Sequence, residues 1–284
     1  MTYYDRKEKR YKEEKEYQDK TLRFLYHTVF GRFLLWLVVA RPWFSNLKTR
    51  YYHSPKSKKE IVPFIKKYGI AEDDSETYKT FNDFFTRKKN LTFKKVNENI
   101  IVSPADSKMQ YFNITEDLIL HIKNSYYNIA DILDNKEKAK QFSGGTCLVF
   151  RLCIDDYHRY HFVDNGKVIH TKKVAGKLHT IRSISEKYKV FSHNSREISI
   201  LETENFGTIA QIEIGALLVG KINNHKKEKF KKYEEKGYFE FGGSTIVLLF
   251  KEQIKFDKDI EKANVDGYET KVSVGERIGI CLKD

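Results

Sequence analysis

The sequence predicts an α+β fold: a β-rich core of packed antiparallel or mixed strands, preceded by N-terminal amphipathic helices. Three observations carry this. From about residue 99 onward, short apolar or alternating segments recur with no helical pattern between most of them. Before that point, apolar and aromatic residues cluster between charges at helix-like spacing. A 40% apolar content with 14% aromatics supplies a core, and four prolines with fifteen glycines exclude a low-complexity chain. The 284 residues divide on this pattern into an N-terminal helical region, 1–98, and a β-rich domain, 99–284.

Residues 1–20 carry seven Lys/Arg and six Asp/Glu, which predicts a solvated helix or tail and excludes a signal peptide. Residues 21–48 place Phe24, Phe30, Phe33, Trp36, Trp43 and Phe44 among Arg23, Arg32, Arg41 and Lys48. A short apolar helix flanked by aromatics and arginines suits an interfacial anchor; a helix buried against the rest of the protein is the other reading. The longest unbroken apolar run, Phe33–Ala40, has eight residues, and spanning a bilayer takes about 20. Short helices are expected at 56–69, with Ser57 and Glu60 as a capping pair and Gly69 as the stop, and at 78–87, with Phe81, Phe84 and Phe85 on one side. Strands are expected at 147–154, 167–174, 196–202, 207–222, 244–250 and 276–282. The run 221–236, with seven lysines and three glutamates, reads as a solvated hairpin tip.

A net charge of +13 points to an anionic partner, either nucleic acid or an acidic membrane surface. No zinc-finger spacing or single-strand-binding motif supports nucleic acid. Cys147, Cys153 and Cys281 form no CxxC and read as buried, reduced thiols.

Three stretches carry chemistry. "FGGST" (241–245) sets two glycines and two hydroxyls against an apolar strand; a turn is one reading, a reactive backbone the other. "DDYHRYHF" (155–162) holds His158 and His161, and "VSPADSK" (102–108) holds Asp106 in a proline-anchored loop. HxxH would supply two metal ligands, but no third has suitable spacing, so no metal is expected. A hydrogen-bonded structural cluster is a further reading. Ser244, one of the two histidines and Asp106 also make a nucleophile, a base and an orienting carboxylate. The G-x-S-x-G elbow is absent, which disfavours a hydrolase of that fold.

"LYHTVFGRFLL", "FNDFFTRK", "SPADS", "FSGG", "FRLCIDDYHRYHF", "NSRE", "IGALLVGKI" and "KGYFEFGGSTIVLLF" occur in order over residues 25–250. In that order and spacing the chain resembles the bacterial pyruvoyl-type phosphatidylserine decarboxylase proenzymes. The resemblance implies self-cleavage between Gly243 and Ser244, giving a large chain, 1–243, and a small chain, 244–284. Ser244 becomes a pyruvoyl group, the cofactor, which forms a Schiff base with phosphatidylserine and lets CO2 leave, giving phosphatidylethanolamine. It implies His161 as the base and Asp106 as its orienting carboxylate in self-cleavage, His158 in decarboxylation, and Thr180 beside the substrate. Departures from the usual pattern are Ser107 in place of glycine, Gly242 in place of leucine or valine, and Ile181-Arg182 in place of Val-Asn. The implied partners are phosphatidylserine, an anionic membrane surface on the cytoplasmic side, bound peripherally, and the two chains of one proenzyme. A homodimer is compatible with this, and nucleic acid is not expected. The alternatives are a pyruvoyl decarboxylase of a soluble amine, a lipid-surface binding protein with a vestigial triad, and an uncleaved serine hydrolase.

Overall fold

A strand with no polar face must be covered on both sides, and Ser244–Phe250 is such a strand. In the computed structural model it lies inside a ten-stranded sheet with every residue buried. The structure describes residues 2–14, 19–39, 42–70, 77–122, 125–179, 189–216, 221–242 and 244–282. Gly243, Thr180, Ile181 and Arg182 lie outside them, as do the side chains of Trp43 and Phe44.

The strands run in chain order as β1 (Thr2–Asp5), β2 (Arg10–Glu13), β3 (Ile100–Val102), β4 (Ser107–Asn113), β5 (Ile119–Ile122) and β6 (Ser125–Asn128). There follow β7 (Thr146–Leu152), β8 (Arg159–His161), β9 (Gly166–Val174), β10 (Arg196–Thr203), β11 (Gly207–Gly215) and β12 (Ile222–Asn224). The last six are β13 (Lys229–Phe230), β14 (Glu235–Phe239), β15 (Ser244–Phe250), β16 (Ile254–Phe256), β17 (Glu269–Val272) and β18 (Arg277–Cys281). The main sheet has the order β13-β9-β10-β11-β15-β7-β4-β17-β1-β2. Its pairs are antiparallel except β1 with β17, so the α+β expectation of antiparallel and mixed strands holds.

Alternate residues of β15 enter two cores. Ile246, Leu248 and Phe250 face the three-stranded sheets β12-β14-β8 and β16-β18-β3, which contribute Tyr160, Phe239, Phe256 and Ile278. Val247 and Leu249 face a second core built with Leu120, Tyr127, Ile132 and Phe142. Burial at this level is worth about 1.5–3 kcal/mol for each large apolar side chain.

Residues 2–13 correct the solvated helix or tail expected there. They form the β1–β2 hairpin at the edge of the main sheet. Tertiary partners hold it: the Arg6 guanidinium meets Asp259 at 2.7 Å, Asp257 at 3.0 Å and Glu276 at 3.0 Å.

The 21–48 region breaks into helices α1 (Asp19–His27) and α2 (Val29–Leu34), a π-turn (Leu35–Val39) and α3 (Pro42–Tyr52). The break after α1 has a local cause, because Thr28 caps α2 by accepting the Gly31 N–H. Leu25, Tyr26, Leu35 and Val39 are buried, while Phe24, Val29, Phe30, Phe33, Trp36 and Leu37 are exposed. In the following region α4 (Ile61–Tyr68) ends at Gly69 in the left-handed conformation, as expected. Ser57 is not its cap; its hydroxyl donates to the Tyr52 and Ser54 carbonyls and accepts the Phe81 N–H. Helix α5 (Phe81–Phe85) is closed by a Thr80–Asp83 capping box and buries Phe81, Phe84 and Phe85.

The lysine run 221–236 is not solvated throughout. Lys236 is buried, and its ammonium donates to Glu213 Oε2 at 2.7 Å and Asn224 Oδ1 at 3.0 Å. Lys236 is drawn in by an acid of β11. All three cysteines are free and buried.

Candidate active site

Strand β15 begins at Ser244, which pairs with Leu152 of β7 on one side and Gly215 of β11 on the other. The alternation of the strand points its side chain to the face of Ile246 and Leu248. The residue has no solvent exposure, and its Oγ has no hydrogen-bond partner among the described residues. A buried hydroxyl left without a partner is costly and is rarely kept by a purely structural residue. Just upstream, Gly242 has φ +139°, a conformation that side chains with a Cβ avoid.

His158 stands against this turn. Its Nδ1 lies 2.9 Å from the Asp156 carbonyl, which only accepts, so Nδ1 carries the proton and Nε2 is a bare lone pair. Nε2 is buried without a hydrogen bond. The ring packs on Phe85 with centroids 4.2 Å apart, and the Phe239 N–H ties the His158 carbonyl to β14. Burial holds the imidazole pKa down to about 3, against the opposing pull of the Asp156 and Gly242 backbones.

His161 lies on β8, opposite Glu235 of β14. Its N–H donates to the Pro104 carbonyl at 2.9 Å, fastening β8 to the loop that carries Asp106. Its Nδ1 is buried and unpartnered, and the Phe93 ring meets it edge-on at 5.6 Å. Burial lowers its pKa to about 4; Glu235, the Pro104 carbonyl and Asp106 oppose this, and Arg159 adds to it. Asp106 is half-buried, and its Oδ1 accepts the Val274 N–H at 2.8 Å.

The fold thus brings Asp106 of the loop before β4, His158 of the loop between β7 and β8, His161 of β8 and Ser244 of β15 to one end of the main sheet. It does not join them by direct hydrogen bonds: Ser244 Oγ touches neither imidazole as a partner, and Asp106 is engaged with the Val274 backbone. Both histidines are neutral near pH 7 and each presents a nitrogen with no partner, the state a proton acceptor needs.

Several site residues carry little signal in the sequence. Asn194, in "NSRE", donates to the Gly215 and His179 carbonyls at 2.8 Å each, holding the strand opposite Ser244. His179 in turn sits 3.4 Å from the Tyr26 hydroxyl of α1. Lys108, two residues after Asp106, is buried beside Cys153 Sγ at 3.0 Å. Glu14 reaches the same sulfur at 2.7 Å from the N-terminal hairpin. The spacing of Lys108 within "SPADSK" was a usable signal; Glu14 offered none, because its partners lie more than 90 residues away in sequence.

A family model described as phosphatidylserine decarboxylase matches residues 81–280. The chain is 48% identical to phosphatidylserine decarboxylase proenzyme 2 of Clostridium acetobutylicum, over 98% of each chain. It is 41% identical to a phosphatidylserine decarboxylase proenzyme of Clostridium botulinum, over 98% of this chain and 99% of that one. A Clostridium kluyveri proenzyme of the same name is 40% identical over 99% of both.

Proposed function

The chain belongs to the phosphatidylserine decarboxylase family, and we propose that it performs that reaction with a carbonyl built from its own Ser244. The observation that carries the site assignment is the buried, unpartnered Ser244 Oγ directly after the Gly242 turn, with the bare Nε2 of His158 beside that turn.

Self-cleavage comes first. Ser244 Oγ attacks the Gly243 carbonyl carbon, the C–N bond breaks, and the acyl group moves from nitrogen to oxygen. His161, kept neutral by burial, takes the hydroxyl proton, and Asp106 stabilises the imidazolium that results. Removal of the Ser244 Cα proton then expels the Gly243 carboxylate. The dehydroalanine left at 244 takes up water and loses ammonia, leaving a pyruvoyl ketone at the head of the small chain.

The residues present fit such a group: Ser244 is fully enclosed, and strands on both sides fix its backbone. Once joined to the substrate amine, the ketone supplies an electron sink for the bond to the departing carboxylate. His158 holds a proton-accepting nitrogen on the Gly242 side, which takes a proton from the substrate ammonium as the amine condenses and returns it to the substrate carbon after CO2 leaves. Thr180 is assigned a supporting substrate contact. Residues 1–243 and 244–284 are the two chains of the mature enzyme.

The substrate class requires a lipid surface. No helix among the described residues is long and apolar enough to cross a membrane. The exposed Phe30, Phe33, Trp36 and Leu37 instead suit peripheral insertion, and the net charge of +13 suits an anionic leaflet. Their helices reach the site through Tyr26, His179 and Asn194. We place the attachment on the cytoplasmic face.

The test is turnover by purified, matured protein. Phosphatidylserine in vesicles should give CO2 and phosphatidylethanolamine, and a carbonyl-trapping hydrazide should stop it. Turnover of free serine or histidine without turnover of phosphatidylserine would sink the lipid assignment.

A further inference from the structure

Next to His158 lies a group of ionisable side chains that the reaction above does not use. Asp156 closes a turn from both ends: its Oδ2 accepts the Cys153 N–H at 2.7 Å, and its own N–H donates to the Cys153 carbonyl at 3.0 Å. The carbonyl of the same residue takes the proton of His158 Nδ1. The turn therefore sets which His158 nitrogen is bare.

The charges facing Asp156 are Lys108 of β4, Asp106 from the loop before β4, Asp155 beside it, and the Cys153 thiol of its own turn. Lys108 is the cation among them, and its position is built. Its Nζ lies 3.0 Å from Cys153 Sγ, 3.5 Å from Glu14 Oε1 and 4.8 Å from the Tyr3 ring. Glu14 also binds Arg151 through both oxygens, at 3.1 and 3.0 Å. Tyr3 and Glu14 both come from the N-terminal hairpin.

We propose that Asp156 is a positioning residue for His158, and that the N-terminal hairpin tunes it through Glu14 and Lys108. This rests on the decarboxylase reading and on His158 as the proton-handling group of that reaction.

The electrostatics give the proposal a direction. Burial pushes the Asp156 carboxyl up to about 6, and Lys108 opposes that rise. His158 and His161, held at about 3 and about 4, change no charge above about pH 5. On the proposal, an acid limb near pH 6 in decarboxylation is assigned to Asp156. Protonation removes its charge-assisted hold on the Cys153 N–H, the turn loosens, and activity falls as pH drops. Lys108→Met removes the opposing cation, so the limb moves to higher pH. Glu14→Gln removes an anion that shares Lys108 and Arg151, so the limb moves to lower pH. Damage to packing alone lowers the amplitude without moving the midpoint in opposite directions.

The experiment is kcat/KM against pH, from 5 to 8, on phosphatidylserine vesicles with matured full-length enzyme. Lys108→Met should shift the midpoint up, and Glu14→Gln down, each by roughly one pH unit. Asp156→Asn should cleave into two chains and give a flat profile at the level the wild type reaches at its acid end. A common midpoint for Lys108→Met, Glu14→Gln and wild type, or an Asp156→Asn variant that keeps the limb, overturns the proposal. If Lys108→Met does not fold, Glu14→Gln and Asp156→Asn decide. A wild type that releases no CO2 at any pH counts against the decarboxylase reading instead. The positioning claim is then decided by the 15N shifts of the His158 ring, which should lose their fixed tautomer in Asp156→Ala and overturn the claim if they do not.

Discussion

Breaking the bond before Ser244 is itself a perturbation whose outcome the structure fixes: the small chain should stay in place. Strand β15 is hydrogen-bonded along both edges, to β11 and to β7. Its five apolar side chains, Ile246 to Phe250, are buried and contribute about 10 kcal/mol together at about 1.5–3 kcal/mol each. Downstream, Ile254, Phe256, Ile260, Val272 and Ile278 are also buried, which brings the apolar contribution to about 20 kcal/mol. Fixing a separate chain in position costs about 4–15 kcal/mol. The remainder corresponds to sub-millimolar binding at the unfavourable end of that range and to micromolar or tighter binding over most of it. The assay is size exclusion of cleaved protein under native conditions, followed by a denaturing gel of the peak. Co-elution of both chains is expected, and Leu248→Ala, which costs about 2–5 kcal/mol, should not release the small chain at high protein concentration. A small chain that elutes apart from a folded large chain refutes this accounting of the sheet.

Other outcomes follow from single contacts. Relative to fresh, uncleaved precursor, Ser244→Ala removes a buried hydroxyl with no partner among the described residues, so calorimetry should show stability unchanged or raised by up to about 1 kcal/mol; a loss of about 2 kcal/mol would mean the hydroxyl is structurally bonded. Lys236→Met strands the Glu213 carboxylate and should cost about 3–5 kcal/mol in urea unfolding, whereas adding Glu213→Leu should recover most of it; equal losses in both proteins would contradict the pairing. Because burial lowers the pKa of His158 and His161 to about 3 and about 4, both must gain protons on unfolding in acid. Their contribution to stability is full above about pH 6.5 and is lost as pH falls toward 4. Self-cleavage of fresh precursor should vary little between pH 5.5 and 8, and a midpoint at the ordinary histidine value would show the base to be solvated. Phe30→Asp with Trp36→Asp should reduce sedimentation with phosphatidylserine vesicles while leaving the melting temperature nearly unchanged, since both side chains are more than half exposed; unchanged sedimentation would remove this face from the membrane contact.

Strands β7, β9, β10, β11, β15 and β18 were legible because burial on one or two faces writes a period of two, or an unbroken apolar run, into the sequence, whereas the short strands β8, β12, β13, β14, β16 and β17 are too brief to carry such a pattern. Gly69 as a helix stop was legible for a local reason as well, the left-handed turn it permits. What the sequence hid is held by distant partners. The hairpin at 2–13 looks like a solvated tail because its residues are charged, yet Arg6 and Glu14 spend those charges on Asp257, Asp259 and Arg151. Lys236 reads as one more lysine of a basic run until Glu213 appears across the sheet interface. At the site, residue types and spacing pointed to Asp106, His158, His161 and Ser244. The tautomer of His158 and the engagement of Asp106 with Val274 depend on three-dimensional neighbours and were not readable.

The proposed mechanism consumes Ser244. Intact mass of the wild-type protein, purified after expression without reducing amines, is the decisive measurement. Two chains are expected, 1–243 and 244–284, the second beginning with a pyruvoyl group that reacts with a hydrazide. A single full-length chain in protein that decarboxylates phosphatidylserine would contradict it.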